Sequence, residues 1–428
     1  MKSSDPAAGA FALRDGVFHC ERVSLEAIAQ RFGTPTYVYS RAAIEAAFRA
    51  YRDALAGRPA LVCYAMKANS NLAVLDLLAR LGAGFDIVSG GELARVLAAG
   101  GDPGKVVFSG VGKTEDEIAQ ALAAGILCFN LESVAELEMI ERVAARLGKR
   151  APVSVRVNPD VDPKTHRYIA TGLKSNKFGV AWGDAVGLYR RAAKLAHVEI
   201  VGIDCHIGSQ ITEIAPFTEA VQSLKRMAAE LKQARIGLRF MDIGGGLGIT
   251  YKNELPPHPE EYARAIAPEM KDTGLTLILE PGRVIVGNSG IFVTRVLYVK
   301  KAGGKTFYIV DGAMNDLIRP ALYDAYHEIL PIREGKAETQ VADVVGPVCE
   351  SGDFLAKGRE MAVLKPGDLV AVMSAGAYGH SMSSNYNLRK RVPEVLVKDD
   401  SFYVVRKRER NADLLRGQSV PGFLESKQ

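Results

Sequence analysis

The stretch LVCYAMKANSNLAVLDLLARLGAGFDIVSGG, residues 61–91, contains the pattern on which the fold assignment depends. It opens with the apolar, β-rich run Leu61–Met66 and ends shortly after a second such run, Phe85–Val88. The segment between them has apolar residues at helical spacing. A strand, a helix and a second strand in this order are typical of a βα unit in a parallel sheet.

The same alternation continues from Ser40 to about Arg283. Thr114 with Glu117, and Ser133 with Glu136, have the spacing of capping boxes and mark two of the helix starts. Eight strands over about 250 residues predict an α/β fold, a (β/α)₈ TIM barrel spanning residues 40–285. The predicted strands are Leu61–Met66, Phe85–Val88, Val106–Ser109, Ile126–Phe129, Val153–Val157, Ile200–Cys205, Arg239–Ile243 and Thr276–Leu279.

The residue pattern changes after Pro281-Gly282-Arg283, where β-branched runs separated by turn residues begin. A second domain of β-barrel or β-sandwich type is therefore predicted over residues 286–428. Residues 1–39 contain a strand-like Thr36–Tyr39 and a short helix Leu25–Arg31, and we assign them to the C-terminal β-domain, although their pattern permits packing on either domain. The C-terminal runs are Ile291–Val299, Phe307–Val310, Val341–Val348 and Leu369–Met373.

Composition excludes several classes of protein. The 54 basic and 49 acidic residues are spread along the 428-residue chain, without the clustered basic face of a nucleic-acid binder. The five cysteines are odd in number and include no C-x-x-C pair, so neither a disulfide framework nor a zinc site is predicted. No run reaches the roughly 18 apolar residues of a membrane span, and residues 1–12 do not resemble a secretion signal. We expect a cytoplasmic protein that binds neither nucleic acid nor membrane.

Reactive groups in barrels of this type lie at the carboxyl ends of the strands, where the βα loops converge. Lys67 ends the first strand, so its amine is expected at the barrel mouth. Desolvation there would lower the pKa of the amine and make it a nucleophile toward an aldehyde. A lysine that simply extends to solvent is the alternative. The other strand ends are also polar or glycine-rich: Asp86, Ser109, Asn130, Arg156 with Asn158, His206, Gly244–Gly246 and Glu280.

Two glycine-containing loops follow the seventh and eighth strands, Asp242-Ile243-Gly244-Gly245-Gly246-Leu247-Gly248 and Glu280-Pro281-Gly282-Arg283. Such loops bind phosphate through backbone N–H groups in many barrels, although a flexible turn has the same composition. Arg283 adds a fixed positive charge that suits a phosphate or a substrate carboxylate.

His206 ends the sixth strand, within Asp204-Cys205-His206-Ile207-Gly208-Ser209-Gln210. It fits either a buried, hydrogen-bonded histidine or a flat ring stacked on a flat cofactor, and Ser209 is a further phosphate donor. Adjacent strand residues face opposite ways and no second histidine has ligand spacing, so no metal site is predicted.

These segments together resemble the alanine-racemase-like, fold-type III class of pyridoxal 5'-phosphate (PLP) enzymes, and within it the diaminopimelate decarboxylase family. The resemblance covers nearly the whole chain. It is carried by residues 64–69, 85–92, Lys177-Phe178-Gly179, 206–210, the triple glycine, 280–283, 316–323, Cys349-Glu350-Ser351-Gly352-Asp353 and 375–379.

The resemblance implies a role for each group of residues. Lys67 would hold PLP as a Schiff base, His206 would stack on the pyridine ring, and Glu280 would bind the ring nitrogen and keep it protonated, so that the ring accepts the electron pair released at Cα. Cys349 would donate the proton to the carbanion. Further cofactor contacts would come from Asp86, Ser209, Gly245, Gly246, Pro281, Gly282, Arg283 and Tyr378, and the substrate would be held by Arg283, Arg319, Tyr323, Glu350 and Tyr378.

The implied reaction is decarboxylation of meso-2,6-diaminopimelate to L-lysine and CO₂, the last step of lysine biosynthesis. The family also implies a homodimer in which the Cys349-Glu350 loop completes the partner's site. Two alternatives stay open. One is a decarboxylase of ornithine, arginine or a carboxylated polyamine on the same scaffold; the other is a PLP carrier without catalysis. The complete β-domain with Arg319, Cys349 and Tyr378 argues against the carrier.

Overall fold

The computed structural model describes residues 9–159, 161, 177–335 and 338–424. The chain divides into two compact units. The barrel unit comprises Ser40–Gly290 and Ser374–Ser381 with the described part of Met1–Ala12, and the β-unit comprises Leu13–Tyr39, Ile291–Met373 and Met382–Gln428. The limits predicted for the domains stay a prediction.

The N-terminal elements are short. Helix α1 begins where the Ser24 hydroxyl accepts a hydrogen bond from the Glu26 N–H at 3.2 Å. It is followed by Gly33, whose φ of 74° is a backbone conformation that favours glycine. The predicted helix and the predicted strand in this region are both confirmed. The elements are β1 (Phe11–Arg14), β2 (Val17–Cys20), β3 (Val23–Ser24), α1 (Leu25–Phe32) and β4 (Thr36–Ser40).

Eight parallel strands form the predicted barrel. It closes because β8 pairs with β9 and β13 pairs with β5, so no edge strand is left between them. Each of the eight predicted barrel strands is observed, with its ends shifted by at most two residues. The strands are β5 (Ala60–Ala65), β6 (Gly84–Ile87), β7 (Val106–Phe108), β8 (Cys128–Leu131), β9 (Ala151–Asn158), β11 (Val198–Asp204), β12 (Phe240–Asp242) and β13 (Thr276–Leu279), with the short β10 (Val180–Ala181) added on β9.

Helices follow the barrel strands. Thr114 and Glu117 form the predicted capping box at the start of α5. At α6 the Ser133 hydroxyl caps the helix, but the Glu136 side chain accepts from the N–H of Glu132 rather than from that of Ser133, so this box is only half formed. The helices are α2 (Arg41–Ala54), α3 (Leu72–Arg80), α4 (Gly90–Ala98), α5 (Glu115–Ala124), α6 (Val134–Arg146), α7 (Trp182–Ala192), α8 (Ala215–Gln233), α9 (Pro259–Ile266) and α10 (Arg283–Val286).

An apolar layer fills the barrel interior. Gly202 leaves room for the Phe240 ring, because a Cβ at that position would lie 2.3 Å from a ring carbon. Burial of each such side chain contributes roughly 1.5–3 kcal/mol to stability. The layer consists of Cys63, Val107, Cys128, Val201, Phe240 and Ile278, and it separates the barrel mouth from the opposite end.

The β-unit contains a mixed nine-stranded sheet, which is the form in which the predicted β-domain is observed. Strand β4 lies inside it, between β14 and β20, and β15 pairs in parallel with β17. In the described residues, no helix has the length and apolar character needed to cross a membrane. The elements are β14 (Gly290–Ala302), β15 (Lys305–Val310), α11 (Arg319–Tyr323), β16 (Ile329–Pro331), β17 (Thr339–Val345), β18 (Phe354–Ala362), β19 (Leu369–Val372), β20 (Glu394–Lys398), β21 (Ser401–Arg406) and α12 (Asn411–Leu415).

Candidate active site

Lys67 lies in the loop directly after β5, at the carboxyl end of the barrel, as predicted. Its amine forms an ion pair with the Asp86 carboxylate, which projects from the neighbouring strand β6. The Asp86 side chain is fully buried, whereas the Lys67 side chain is 37% exposed. The amine is therefore held by a buried carboxylate, while part of the lysine side chain remains accessible.

The predicted lowering of the Lys67 pKa is wrong. Burial does lower the pKa of the amine, but the negative charges of Asp86 and Glu280 and the ion pair with Asp86 together outweigh it and raise the pKa above its ordinary value. The sequence argument considered desolvation alone. The Asp86 carboxylate, which lies on the adjacent strand and 19 residues away in the chain, reverses the sign of the pKa shift.

Arg283 is held by three side chains from separate loops. Its Nη1 donates to the Tyr251 hydroxyl at 2.6 Å and its Nη2 donates to the Ser209 hydroxyl at 3.0 Å. The Tyr378 ring lies against the guanidinium, with 4.8 Å between its centroid and Cζ. Tyr378 itself has a left-handed φ of 55° and donates its N–H to the carbonyl of Ala68, next to Lys67. These contacts hold the positively charged guanidinium of Arg283 in place near the Lys67 loop.

The loops after β12 and β13 pack closely enough to exclude any side chain at Gly245. A Cβ there would lie 2.1 Å from the Glu280 carbonyl oxygen, and Gly246 has a φ of 117° that L-residues rarely adopt. Gly282 packs on the Lys67 loop, where a Cβ would lie 3.0 Å from the Ala65 oxygen. The Pro281 carbonyl accepts from the Ala65 N–H at 3.1 Å. The two loops and the end of β5 therefore form one rigid surface.

His206 lies half-buried in the same region, and its Nδ1 accepts from the Gly245 N–H at 3.2 Å. Burial, together with the positive charges of Arg156 and Lys67, lowers the pKa of His206 well below its ordinary value. The ring is therefore neutral at pH 7, with its proton on Nε2. A neutral, oriented ring suits stacking better than proton transfer.

Glu280 follows β13 and is buried together with two carboxylates that the sequence argument gave no role, Asp204 and Asp242. Asp204 and Asp242 face each other in the β11–β12 register, and Asp242 faces Ile278, two residues before Glu280. Their positions at strand ends were visible in the sequence. That their side chains all turn into one place was not, because it depends on strand register.

Glu132, which was not predicted, connects Arg156 to the Lys177-Phe178-Gly179 segment. Arg156 and Glu132 form a buried ion pair at 2.9 Å, and the other Glu132 oxygen accepts from the Gly179 N–H at 2.6 Å. The Phe178 ring lies 4.9 Å from the Arg156 guanidinium carbon. Asn176 and the greater part of the loop 159–182 lie outside the described residues.

In the β-unit, Arg319 and Tyr323 occupy the two ends of α11. Arg319 is buried and its Nη1 donates to Nε2 of His327 at 3.1 Å, while Nδ1 of His327 donates to the Met373 carbonyl at 2.8 Å. Sequence reasoning missed His327, which no motif marks. It orients the guanidinium.

Cys349 and Glu350 lie in an exposed loop of the β-unit, and Cys349 is the only exposed cysteine of the five. The Cys349 N–H donates to Oδ1 of Asn387 at 2.9 Å, and the Tyr386 hydroxyl donates to Glu350 at 2.7 Å. Asp353 anchors the base of the loop by accepting from the Val348 N–H at 2.6 Å. Tyr386 and Asn387 were not predicted.

The barrel mouth fits PLP residue by residue. Glu280 offers a buried oxygen, Oε1, with no hydrogen-bond partner among the described residues, which suits a protonated ring nitrogen. Lys67 supplies a primary amine for the aldehyde, and Arg283, Ser209 and the glycine loop supply donors for the phosphate.

Comparison with known proteins points the same way. The family described as "Pyridoxal-dependent decarboxylase, pyridoxal binding domain" matches residues 41–287. The diaminopimelate decarboxylase of Pseudomonas aeruginosa is 58% identical over 410 residues, covering 96% of this chain and 99% of that protein.

Two solved structures are similar over most of the chain. Diaminopimelate decarboxylase from Helicobacter pylori, complexed with L-lysine, has a TM-score of 0.88 and 47% identity, and the match covers 91% of this chain and 98% of that one. The enzyme from M. jannaschii, in co-complex with L-lysine, has a TM-score of 0.92 and 39% identity, with 97% and 98% covered.

Proposed function

This chain belongs to the PLP-dependent diaminopimelate decarboxylases, and from that membership we propose how its own residues divide the conversion of meso-2,6-diaminopimelate to L-lysine and CO₂. The similarity at 58% identity over nearly the full length sets aside the ornithine, arginine and polyamine alternatives and the non-catalytic carrier. The residue assignments that follow are proposals.

Lys67 and Asp86 exchange the proton that must leave the amine before the cofactor is attached. A protonated amine is not a nucleophile, so Lys67 must release a proton before it reacts, and Asp86 is in hydrogen-bond contact to receive it. Returned to Nζ, the same proton keeps the amine charged when the substrate's own amine has displaced it. When bound, PLP supplies an electron sink for the pair released from Cα.

Glu280 and Arg283 orient the two ends of the cofactor. Glu280 would accept a hydrogen bond from the ring nitrogen through Oε1, the oxygen that has no hydrogen-bond partner in the described part of the chain. Arg283, fixed by Tyr251 and Ser209, pairs with the phosphate, with Gly245, Gly246 and Gly282 allowing close approach. His206 covers one face of the ring as a neutral, stacked group.

Substrate selection depends on the far end of diaminopimelate, which carries both an ammonium and a carboxylate. Arg319 pairs with that carboxylate and Glu350 with that ammonium, while Tyr323 and Tyr378 complete the contacts. Lysine and ornithine lack the distal carboxylate, so neither offers the Arg319 guanidinium the charge-assisted contact that diaminopimelate offers. This discrimination is electrostatic rather than steric.

Cys349 donates the proton that replaces CO₂ at Cα. Its exposure, together with that of Glu350, supports a homodimer in which this loop of one protomer completes the site of its partner. A cytoplasmic location fits the five free cysteines, since a thiol as exposed as Cys349 stays reduced there.

The observation that carries the proposal is that three groups meet at one end of the barrel: an amine paired with Asp86, a buried Glu280 oxygen with no partner among residues that the structure describes, and a guanidinium fixed by Tyr251 and Ser209. The test is a CO₂-release assay on purified, PLP-loaded protein with meso-diaminopimelate, L-lysine and L-ornithine. We expect turnover of the first and scarcely any of the others. Equal turnover of L-ornithine would overturn the selection argument, and no turnover of any would overturn the assigned reaction.

A further inference from the structure

Three carboxylates converge beneath the barrel mouth. One oxygen from each of Asp204, Asp242 and Glu280 lies within 4.8 Å of the other two, and all three side chains are buried, at 2%, 0% and 6% exposure. One oxygen of each has no hydrogen-bond partner among the described residues. The other Asp242 oxygen accepts from the Gly244 N–H at 2.9 Å, so this residue's orientation is fixed by the glycine loop.

The nearby cations are already engaged. Lys67 pairs with Asp86 and Arg156 pairs with Glu132. His206 is neutral. Three buried carboxylates thus share one space with no cation of their own among the described residues, and three ionised groups at such distances in a water-poor interior repel one another too strongly to coexist.

A bound PLP with a protonated ring nitrogen contributes one positive charge, and that charge faces Glu280. It can balance only one of the three carboxylates. The remaining two therefore need protons, and a protonated carboxyl is a hydrogen-bond donor.

We propose that Asp242 and Asp204 are carboxylic acids in the working enzyme and that Asp242 donates a hydrogen bond to Glu280, making both residues positioning residues for the group that faces the ring nitrogen. The proposal rests on the assignment of Glu280 given above. A proton on Asp242 fills the space between two acceptors, holds Glu280 in one rotamer and leaves its charge directed at the cofactor. The protonated carboxyls of the cluster thus act as hydrogen-bond donors on the side of Glu280 that faces away from the cofactor.

The pKa shifts show that this space favours protonated carboxyl groups, and the positive charge of bound PLP would select Glu280 as the one that ionises. Burial raises the pKa of Asp242 to about 7; the charge of Asp86 adds to this shift, and the hydrogen bond from the Gly244 N–H opposes it. Burial and the charges of neighbouring carboxylates also raise the pKa values of Asp204 and Glu280. The groups that face the cluster from the surrounding elements are Lys67, Asp86, Asn130, Glu132, Arg156, Tyr262 and the thiols of Cys63, Cys128 and Cys205.

The sign of the pH effect follows from these raised values. The folded protein holds protons that the unfolded chain, with ordinary aspartate pKa values near 4, has already lost. Stability from this cluster is therefore greatest at low pH and is lost as pH rises from about 4 toward 7. Each retained proton increases the unfolding constant about tenfold per pH unit.

The experiment compares PLP-free wild type with Asp242→Asn in urea unfolding at pH 5 and pH 7. Asparagine keeps the acceptor for Gly244 and replaces the acid proton by an amide N–H, so it fits without a titrating group. We expect the rise in the unfolding constant between the two pH values to be at least about tenfold smaller in the variant. Asp400→Asn, at an exposed ion pair with Arg22, is the matched control and should leave the pH dependence unchanged.

A second measurement concerns PLP affinity. Asp242→Asn, which still donates, should bind PLP nearly as wild type does, whereas Asp242→Leu, which cannot, should bind it roughly tenfold or more weakly. Equal pH dependence of wild type and Asp242→Asn would overturn the proposal, as would stabilisation of the apoprotein by added Mg²⁺ or Mn²⁺, which would identify a cation as the missing charge. Glu280→Gln separates the two claims: normal PLP binding and absorbance in that variant reject the role of Glu280, and leave the apoprotein result standing.

Discussion

The barrel mouth and the Cys349–Glu350 loop carry the two halves of the proposed chemistry, and they are built in opposite ways. At the barrel mouth Lys67, Glu280 and Arg283 are held by buried partners and by backbone packing that excludes side chains at the glycines. Cys349 and Glu350 are exposed, and each is steered by one side-chain hydrogen bond.

The difference indicates a division of labour. Cofactor chemistry needs groups fixed before the substrate arrives, and a closed parallel barrel fixes them because each strand is hydrogen-bonded to, and packed against, a neighbour on both sides. Substrate recognition and reprotonation need groups that let the substrate in and out. An exposed loop provides that freedom, and it acquires a defined place only when another surface covers it.

Loss of the amine should have the largest effect. Lys67→Ala removes the proposed attachment point and leaves Asp86 buried without its ion-pair partner, so we expect activity to fall at least about 10³-fold and the absorbance of lysine-bound PLP to disappear. Lys232→Ala, an exposed lysine on α8, is the control and should behave as wild type. A yellow, active Lys67→Ala enzyme would contradict the cofactor assignment.

Rescue in mixed dimers tests where the exposed loop acts. We expect Lys67→Ala and Cys349→Ala protomers each to be inactive alone. In a random mixture, half of the dimers would be hybrids, and each hybrid would have one intact site if the loop serves the partner. We expect about a quarter of wild-type activity in CO₂ release from the co-expressed mixture. No recovery in a verified hybrid dimer would show that each protomer uses its own loop.

Truncation of Arg319 should affect substrate more than cofactor. A charge-assisted contact with the distal carboxylate contributes about 1.5–3 kcal/mol, so Arg319→Ala should lower kcat/KM for diaminopimelate roughly 10- to 100-fold with PLP affinity unchanged. Arg319→Lys keeps the positive charge but not the planar guanidinium, so its kcat/KM should lie between the values of wild type and Arg319→Ala. Unchanged kinetics would reject Arg319 as a substrate contact.

The smallest effect is expected at Tyr386. Tyr386→Phe removes the hydroxyl that orients Glu350, and the loss of one exposed hydrogen bond should raise KM roughly two- to tenfold with little change in kcat. Tyr298→Phe, another exposed tyrosine of the β-unit, should leave both constants unchanged. A fall in kcat with KM constant would instead place Tyr386 in the chemical step.

Local sequence pattern was sufficient for the architecture. The eight barrel strands appear within two residues of their predicted ends because β-rich apolar runs between helical segments have few other ways to bury their surface. The strand-end positions of Lys67, His206 and Glu280 follow from the same pattern. The roles assigned to them came from resemblance to a known family, not from the pattern.

Only the tertiary structure decided the electrostatics of the site. The shift of the Lys67 pKa changed sign because Asp86 approaches from another strand, and the carboxylate cluster exists because the β11, β12 and β13 registers bring Asp204, Asp242 and Glu280 together. His327 and Tyr386 lie in no motif, and they matter through their contacts with Arg319 and Glu350. Sequence by itself determined which residues reach the mouth of the barrel. Their charges depend on neighbours that are far away in the chain and become close in space only when the barrel closes.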